Sequence, residues 1–506
     1  RYISACSYWS RSFPFEFLSS CRALATSLAC PQSRALCKRH ICTLYALSKI
    51  DILHGSIRKG LVQFAMPVAA TAILAQLFNA ADIAVVGNFT GDKSTVAVAA
   101  VGANSPIIGL IVNLFIGIAL GVTVVIAKGI GQGNKNSVQK TVHTSILVAV
   151  IGGILLSIIG ELIAYPILEL VNIPNDVFPS ALLYLRIYFI GIPVILLYNF
   201  EAAIFRSAGE TKIPLIALAS SGILNVILNL FFVAVLHMTV DGVAIATVVS
   251  NAVSSLILYY CLRRTTKGIH VEPRLLRIDI TSLKRILRIG LPAGIQSAVF
   301  AVSNIVIQSA INSLGTVVMA ASSAAFNIEV ISYNVLNSFS QACTTFVGQN
   351  FGAGDFKRCK KTLKLSLFES GTALGIVVVL ILFFGKSLIA VFDSNPDVIE
   401  IGYVRLMIIM ISHIFTLLYE VMSGYLRGFG ISLAPAVLTT LGVCGVRIGW
   451  IQFVFPHSKT FETIMIGYPI SLMVTAFMIL IALICYRPSR KFSKMKQNNQ
   501  KDSKQI

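Results

Sequence analysis

Charge is what this chain has least of. Acidic and basic side chains together make up 12% of it, against 56% hydrophobic residues and a mean hydropathy of +0.81. A soluble fold cannot absorb that much apolar surface, so a polytopic membrane protein is the default. A nucleotide loop is missing too. Gly129-x-Gly131-x-Gly133 and Gly352-Ala353-Gly354 follow no strand, lack the Lys-Ser/Thr of a phosphate cradle, and read as turns leaving helices. Energy should therefore come from an ion gradient. The seven His are scattered, with no His–Glu or Ser–His set at helical spacing, which argues against a membrane-embedded enzyme and a metal centre. Of ten cysteines, Cys261, Cys343, Cys359, Cys444 and Cys485 fall in apolar spans or basic loops, and no disulfide framework is suggested.

What is present is a series of long apolar runs, such as IVNLFIGIALGVTVVIA over 111–127 and TALGIVVVLILFF over 372–384. Counting runs of about 20 residues predicts twelve spans, near 61–88, 98–127, 141–171, 178–205, 213–236, 240–262, 287–311, 318–347, 363–391, 398–426, 434–456 and 462–486. Backbone polar groups in lipid must be satisfied within each segment, so the spans should be helices and the class all-α.

The runs repeat. Arg206, Gly209 and Pro214 recur as Arg427, Gly430 and Pro435 at a constant offset of 221, kept by Gly133 and Gly354 and by Ser250 and Ser471. Pro67 and Pro292 stand 225 apart, which places a four-residue indel early in the unit. Six spans per repeat is an even number, so both repeats enter and leave on one side, related by a pseudo-two-fold along the membrane normal. Duplicated units of this kind build transporters that bind their ligand between the halves.

The net charge of +20 has a topological explanation. Lys and Arg cluster after even spans, at Lys128, Lys135 and Lys140, at Arg206 and Lys212, over 263–288, over 357–364 and from Arg487 onward. Odd loops carry Asp92, Asp176, Asp241, Asp393, Asp397 and Glu400, with Lys93 and Lys459 the main exceptions. The positive-inside rule then places both termini in the cytoplasm, and no nucleic-acid partner is implied. The basic tail could touch anionic lipid.

The first 57 residues belong to neither repeat. They have no Met, the first being Met66, and hold Cys6, Cys21, Cys30, Cys37 and Cys42; Cys30, Cys37 and Cys42 with His40 fit no ordinary zinc spacing. They read either as a transit peptide, being rich in Ser and Arg, or, as the preferred reading, as sequence ahead of a true start near Leu47. The expected organisation is an extension over 1–57, non-native or disordered; a six-helix bundle over 58–265; a cytoplasmic linker over 266–286; a second six-helix bundle over 287–487; and a basic cytoplasmic tail over 488–506.

Several motifs carry a resemblance: Gln76-Leu77-Phe78-Asn79-x-x-Asp82 ending at Val86-Gly87, Phe205-Arg206-Ser207-Ala208-Gly209-Glu210-Thr211 and its copy Leu426-Arg427-Gly428-Phe429-Gly430, Asp241 to Thr247, and Val347 to Asp355. In this order, over about residues 50–487, they resemble the multidrug and toxic compound extrusion transporters of bacterial type. The resemblance implies two six-helix bundles in a V, and export of cationic or lipophilic small molecules against H+ or Na+. It also implies a role in cation coupling for Asp82, a multi-pass location in a bacterial inner membrane, and no cofactor. A monomer would suffice. The alternative is a flippase for a lipid-linked precursor on a related fold, which should show a strongly basic central cavity.

Among single residues Asp82 leads. It sits in the outer half of the first span among Ala, Ile and Val, where an acid is costly and is read as functional by default. Lost hydration favours its neutral form, so it could bind and release a proton, or hold Na+ when ionised. Asn79 and Gln76 precede it; Asn79 is three residues away on the same face, and Asn225 and Asn229 share a face in span five. With Asn199 of span four they could line a polar chamber, or serve as interhelical glue. Some relatives carry an acid at the position of Asn229; its absence favours H+ over Na+. In the second half, Glu329, Glu420 and Arg447 lie within spans, and Glu420 with Arg447 is expected to form a pair because a buried charge needs a partner. Glu420 is the repeat partner of Asn199. Pro67 and Pro292 interrupt spans one and seven, and bending at Pro67 is a candidate gating element.

Overall fold

The computed structural model describes residues 50–502, other than 92, 93, 172 and 267. The readings of the first five cysteines, His40, the proposed start, Asp92 and Lys93, and the last residues of the tail all fall outside the described residues. Among the described residues twelve helices are long and apolar enough to cross a membrane. They are α1 (Ile57–Phe89), α2 (Ser94–Gly131), α3 (Lys135–Leu170), α4 (Phe178–Ser207), α5 (Lys212–Val235) and α6 (Val240–Arg264), then α7 (Ile280–Asn312), α8 (Thr316–Gly352), α9 (Phe356–Ala390), α10 (Pro396–Gly428), α11 (Leu433–His457) and α12 (Phe461–Tyr486). A short helix, α13 (Pro488–Asp502), follows in the tail.

The helices overrun the predicted spans because polar turns extend them past the apolar run. At 33 residues, α1 reaches about 50 Å at 1.5 Å per residue, beyond the roughly 30 Å of a hydrocarbon core. Large apolar side chains face outward, among them Leu162, Ile190 and Phe383, as lipid-facing surfaces require.

The repeated sequence signals are helix ends. Gly209 and Gly430 both have positive φ and close the C-termini of α4 and α10, each donating to the carbonyl three residues back, Arg206 and Arg427. Gly133 and Gly354 do the same after α2 and α8. Only glycine takes this left-handed turn without strain, which explains its recurrence. Asn134 and Asp355, again 221 apart, then cap α3 and α9 by accepting from Ser137 N and Arg358 N.

The halves meet along glycine seams. Gly117 and Gly121 of α2 face Gly290 and Gly294 of α7 so closely that a Cβ on any of the four would overlap backbone of the other helix. This is small-xxx-small packing on both sides. Further along, Gly131 of α2 abuts the Gln349 carbonyl of α8, while Gly352 of α8 abuts the Lys128 carbonyl of α2. Positions 128 and 349, like 131 and 352, are repeat partners, so this contact is reciprocal about the pseudo-two-fold. The N-terminal part of α1 joins the same region through Leu61, Phe64 and Ala65 against Phe339, Ala342 and Phe346 of α8. All these contacts lie in the half of the molecule that carries the basic helix ends.

Residues 50–56, which sequence reading groups with the extension, pack into this region. Ile52 is 2% exposed, and its carbonyl accepts from Arg358 Nε at 3.2 Å and Nη2 at 3.1 Å. The linker is also tied down: Glu272 N donates to His143 Nε2 and Asp279 N to Thr144 Oγ1, both on α3. Asp279 caps α7, and hydrogen bonds from Ser282 hold its carboxyl below the usual range.

Candidate functional site: a buried carboxyl network in the first bundle

Three helices converge on Asp82, which is 6% exposed. Its Oδ1 accepts from Asn229 Nδ2 of α5 at 2.5 Å, and its Oδ2 from Thr247 Oγ1 of α6 at 3.2 Å. Asn229 Nδ2 also reaches Asn225 Oδ1 at 3.3 Å, and Asn225 Nδ2 lies 3.5 Å from Thr247 Oγ1. Spacing explains part of this: Asn225 and Asn229 are one turn apart on α5 and present both amides to one neighbour. The final turn of α5, Leu230–Val235, widens to π pitch directly after Asn229. Such bulges often mark functional positions in helices. Tyr184 and Tyr188 of α4, stacked with centroids 6.4 Å apart, lie within electrostatic reach of Asp82.

Every partner Asp82 has in this network is neutral. Among the described residues none of the ion pairs involves it. The amide oxygen of Asn229 is buried without a protein partner beside it. Such a site can take up one positive charge, since the protein supplies none.

The other sequence candidates distribute differently. Asn199 donates to the Ile195 carbonyl of its own helix at 2.8 Å. Gln76 and Asn79 are exposed, while Asp82 one turn on is buried. Pro67 lies inside an unbroken α1, where its carbonyl accepts from Thr71 Oγ1. In the second bundle the expected Glu420–Arg447 pair is not formed. Glu420 Oε1 is reached by Tyr333 Oη at 3.5 Å, whereas Arg447 donates to Ser471 Oγ at 2.9 Å and lies over the Tyr468 ring at 4.2 Å. Glu420 has Arg427 within electrostatic reach besides the Tyr333 hydroxyl, and Arg447 has an aromatic face. Glu329 is bound instead by Arg405, which donates to both its oxygens at 3.0 Å and to Ser322 Oγ at 2.7 Å.

Sequence reading missed Arg405 and Glu201. Arg405 is 2% exposed on α10. Glu201, on α4, is 0% exposed, accepts from Ser255 Oγ of α6 at 2.9 Å, and its Oε1 has no protein partner. The only signal for either was a charge inside an apolar run.

The MatE family model matches residues 67–231 and again residues 292–451. The chain therefore belongs to the MatE family, the multidrug and toxic compound extrusion transporters, and is a multi-pass membrane protein. It is 28% identical over 444 residues to a probable multidrug resistance protein NorM of Thermotoga maritima, covering 86% of this chain and 91% of that one. It is 26% identical to a probable multidrug resistance protein YoeA of Bacillus subtilis, covering 84% and 93%. The fold matches an outward-facing multidrug resistance MATE family transporter of the MOP superfamily at a TM-score of 0.80 and 22% identity, over 87% of this chain and 98% of that one.

Proposed function

We propose that this protein is a secondary antiporter that exports cationic or lipophilic small molecules in exchange for H+, with Asp82 as the coupling group and Asn225, Asn229 and Thr247 as its supporting shell. The observation that carries this reading is a buried acid whose two oxygens are held by neutral donors on two other helices. Protonation would weaken the acceptor strength of Asp82 toward Asn229 and Thr247, and so loosen α1 from α5 and α6. Ionisation would tighten them again. A proton thereby selects between two packings of the first bundle, which is the differential interaction that coupling requires.

The relatives named as multidrug resistance proteins support the substrate class. A single acid in the network, with Asn at 229, favours H+; the partnerless Asn229 oxygen is the feature that would suit Na+ instead. Neither ion calls for a resident cofactor. The half carrying the basic helix ends is read as cytoplasmic by the positive-inside rule, in a bacterial inner membrane. The glycine seams then close the cytoplasmic side, and the cleft between bundles would open outward. Small-molecule substrates and membrane lipids are the partners, and one copy of the chain is sufficient. The flippase alternative loses support in the second bundle, where Arg405 is neutralised by Glu329 and Arg447 is covered by Tyr468.

The test is efflux of a fluorescent lipophilic cation from proteoliposomes containing the full chain, with H+ and Na+ gradients imposed separately. Efflux driven by the H+ gradient and abolished in Asp82→Asn is expected. Wild-type rates in that variant would sink the assignment.

A further inference from the structure

Asp82 lies seven residues from the end of α1 that faces away from the basic side. A proton bound there still has most of the bilayer to cross. The polar residues that could carry it further are concentrated on α6. Thr247 donates to Asp82, and Asn251 Nδ2 donates to the Thr247 carbonyl at 2.8 Å. Ser254 Oγ donates to the Asn251 carbonyl at 2.9 Å, and Ser255 Oγ donates to Glu201 Oε2 at 2.9 Å. Ser250, Ser254 and Ser255 are all buried. From Thr247 to Ser255 is eight residues, about 12 Å of helix rise, toward the end that carries Arg263 and Arg264. One face of an otherwise apolar helix thus runs from one buried acid to the other.

Glu201 is poorly explained as a structural residue. It is 0% exposed, accepts one hydroxyl donor, and leaves Oε1 unpartnered. Among the described residues no ion pair involves it. A buried carboxylate with one neutral donor is strongly disfavoured, and a plain packing role would be better filled by Met, the residue at its repeat position 422. The groups around it are Cys261 and Ser255 of α6 and Tyr198 of its own helix, the last also within electrostatic reach of Arg206. α2 and α3, which also pack on α4, carry Lys128 and His143 toward the basic side; the latter accepts from Glu272 N.

We propose that Glu201 is a second proton-carrying carboxyl of the first bundle, the station between Asp82 and the basic side, with the polar face of α6 as the route between them. This rests on the H+-coupled reading above. Glu201 releases the proton of its carboxyl to water when the basic side opens, becoming a carboxylate. The Asp82 carboxyl then gives its proton to water held against the polar face of α6, and that water protonates the Glu201 carboxylate, leaving Asp82 ionised and ready to take another from the far side. One O–H bond breaks and one forms at each transfer, and net charge moves by one proton per cycle.

The full chain in proteoliposomes tests this with Glu201→Gln, Glu201→Asp and Ser255→Ala. H+-driven efflux should fall at least tenfold in Glu201→Gln and partially recover in Glu201→Asp, while dye binding, read by fluorescence titration, stays within threefold of wild type. Infrared difference spectra between acid and alkaline pH should show a carboxylic C=O band that Glu201→Gln removes. Should Glu201→Gln aggregate, Ser255→Ala serves in its place: it should slow efflux and shift that band. Wild-type efflux in Glu201→Gln, or in Ser255→Ala when that replaces it, or the absence of a Glu201-dependent band, overturns this inference and leaves the antiporter reading standing. A wild-type protein that does not respond to the H+ gradient overturns the antiporter reading and the proton route with it.

Discussion

The Asp82 site and its repeat counterpart occupy the same place on the same scaffold and share almost no chemistry. At the 225 offset of the first helix, Asp82 corresponds to Ile307; at the 221 offset, Asn225, Asn229 and Thr247 correspond to Val446, Trp450 and Tyr468. Ile307, Trp450 and Tyr468 do come together in the second bundle, around Arg447. Where one bundle has an acid held by amides and a hydroxyl, the other has a guanidinium against an aromatic ring. Both helices that carry these groups, α5 and α11, contain a π turn, directly after Asn229 in one and directly before Val446 in the other. Duplication supplied two equivalent side-chain clusters, and of these two the first holds an acid where the second holds Ile307. Arg447 brings a guanidinium of its own to the cluster, and Glu329 is closed off by Arg405. The proposed ion site at this repeat position therefore belongs to the first bundle, while Glu420 of the second lies elsewhere, against Tyr333.

The most damaging change to this contrast is Asp82→Asn. It preserves shape and hydrogen-bonding capacity but removes the titrating group, so gradient-driven efflux should drop to the level of empty liposomes while the protein stays monodisperse. The second bundle should respond in the opposite way to Glu329→Gln. Uncoupling a buried ion pair costs on the order of 3–5 kcal/mol, so thermal stability should fall clearly, measured by scanning fluorimetry in detergent. Any surviving protein should keep its dependence on the gradient. Loss of coupling without loss of stability in Glu329→Gln would place a working ion site in both bundles.

How much of this could be read from the chain alone divides along physical lines. The twelve spans, the duplication and Asp82 were legible because each is local: a hydropathy run, a constant offset, an acid in an apolar stretch. The Asn225–Asn229 pair was legible because one helical turn fixes its face. What failed was rotation about the helix axis relative to neighbours. Asn199 and Glu201 are two residues apart, about 200° around α4 at 3.6 residues per turn; Glu201 meets α6, and the Asn199 amide folds back onto its own helix. The expected Glu420–Arg447 pair failed for the same reason, and Arg405 went unnoticed because its partner lies 76 residues away.

The seam between the halves offers a test of a different kind. Gly121→Val would force a side chain into the backbone of α7 at Ile286 and Gly290. The basic side should then fail to close, seen as a longer spin-label distance between the ends of α2 and α8, with efflux reduced several-fold. Since the proposed ion site lies in the first bundle, away from this seam, an infrared signature of Asp82 protonation should persist in this variant.

Two gentler substitutions sharpen the contrast from either side. Asn229→Asp would place a second carboxyl against Asp82. Two acids within hydrogen-bond reach share a site that a proton or a Na+ relieves, so efflux should acquire a Na+ response absent from wild type. Arg447→Gln should have the smallest effect. It removes a cation–π contact worth about 0.5–2 kcal/mol and the ion at the mirror position, yet no titrating group. The ratio of H+ imported to dye exported should stay at the wild-type value, and only the relative rates for dyes of different charge should change, with cationic ones favoured once the fixed positive charge is gone. A changed stoichiometry in Arg447→Gln would mean that the second bundle takes part in ion exchange after all, and that the chemical asymmetry between the repeats does not map onto a division of labour.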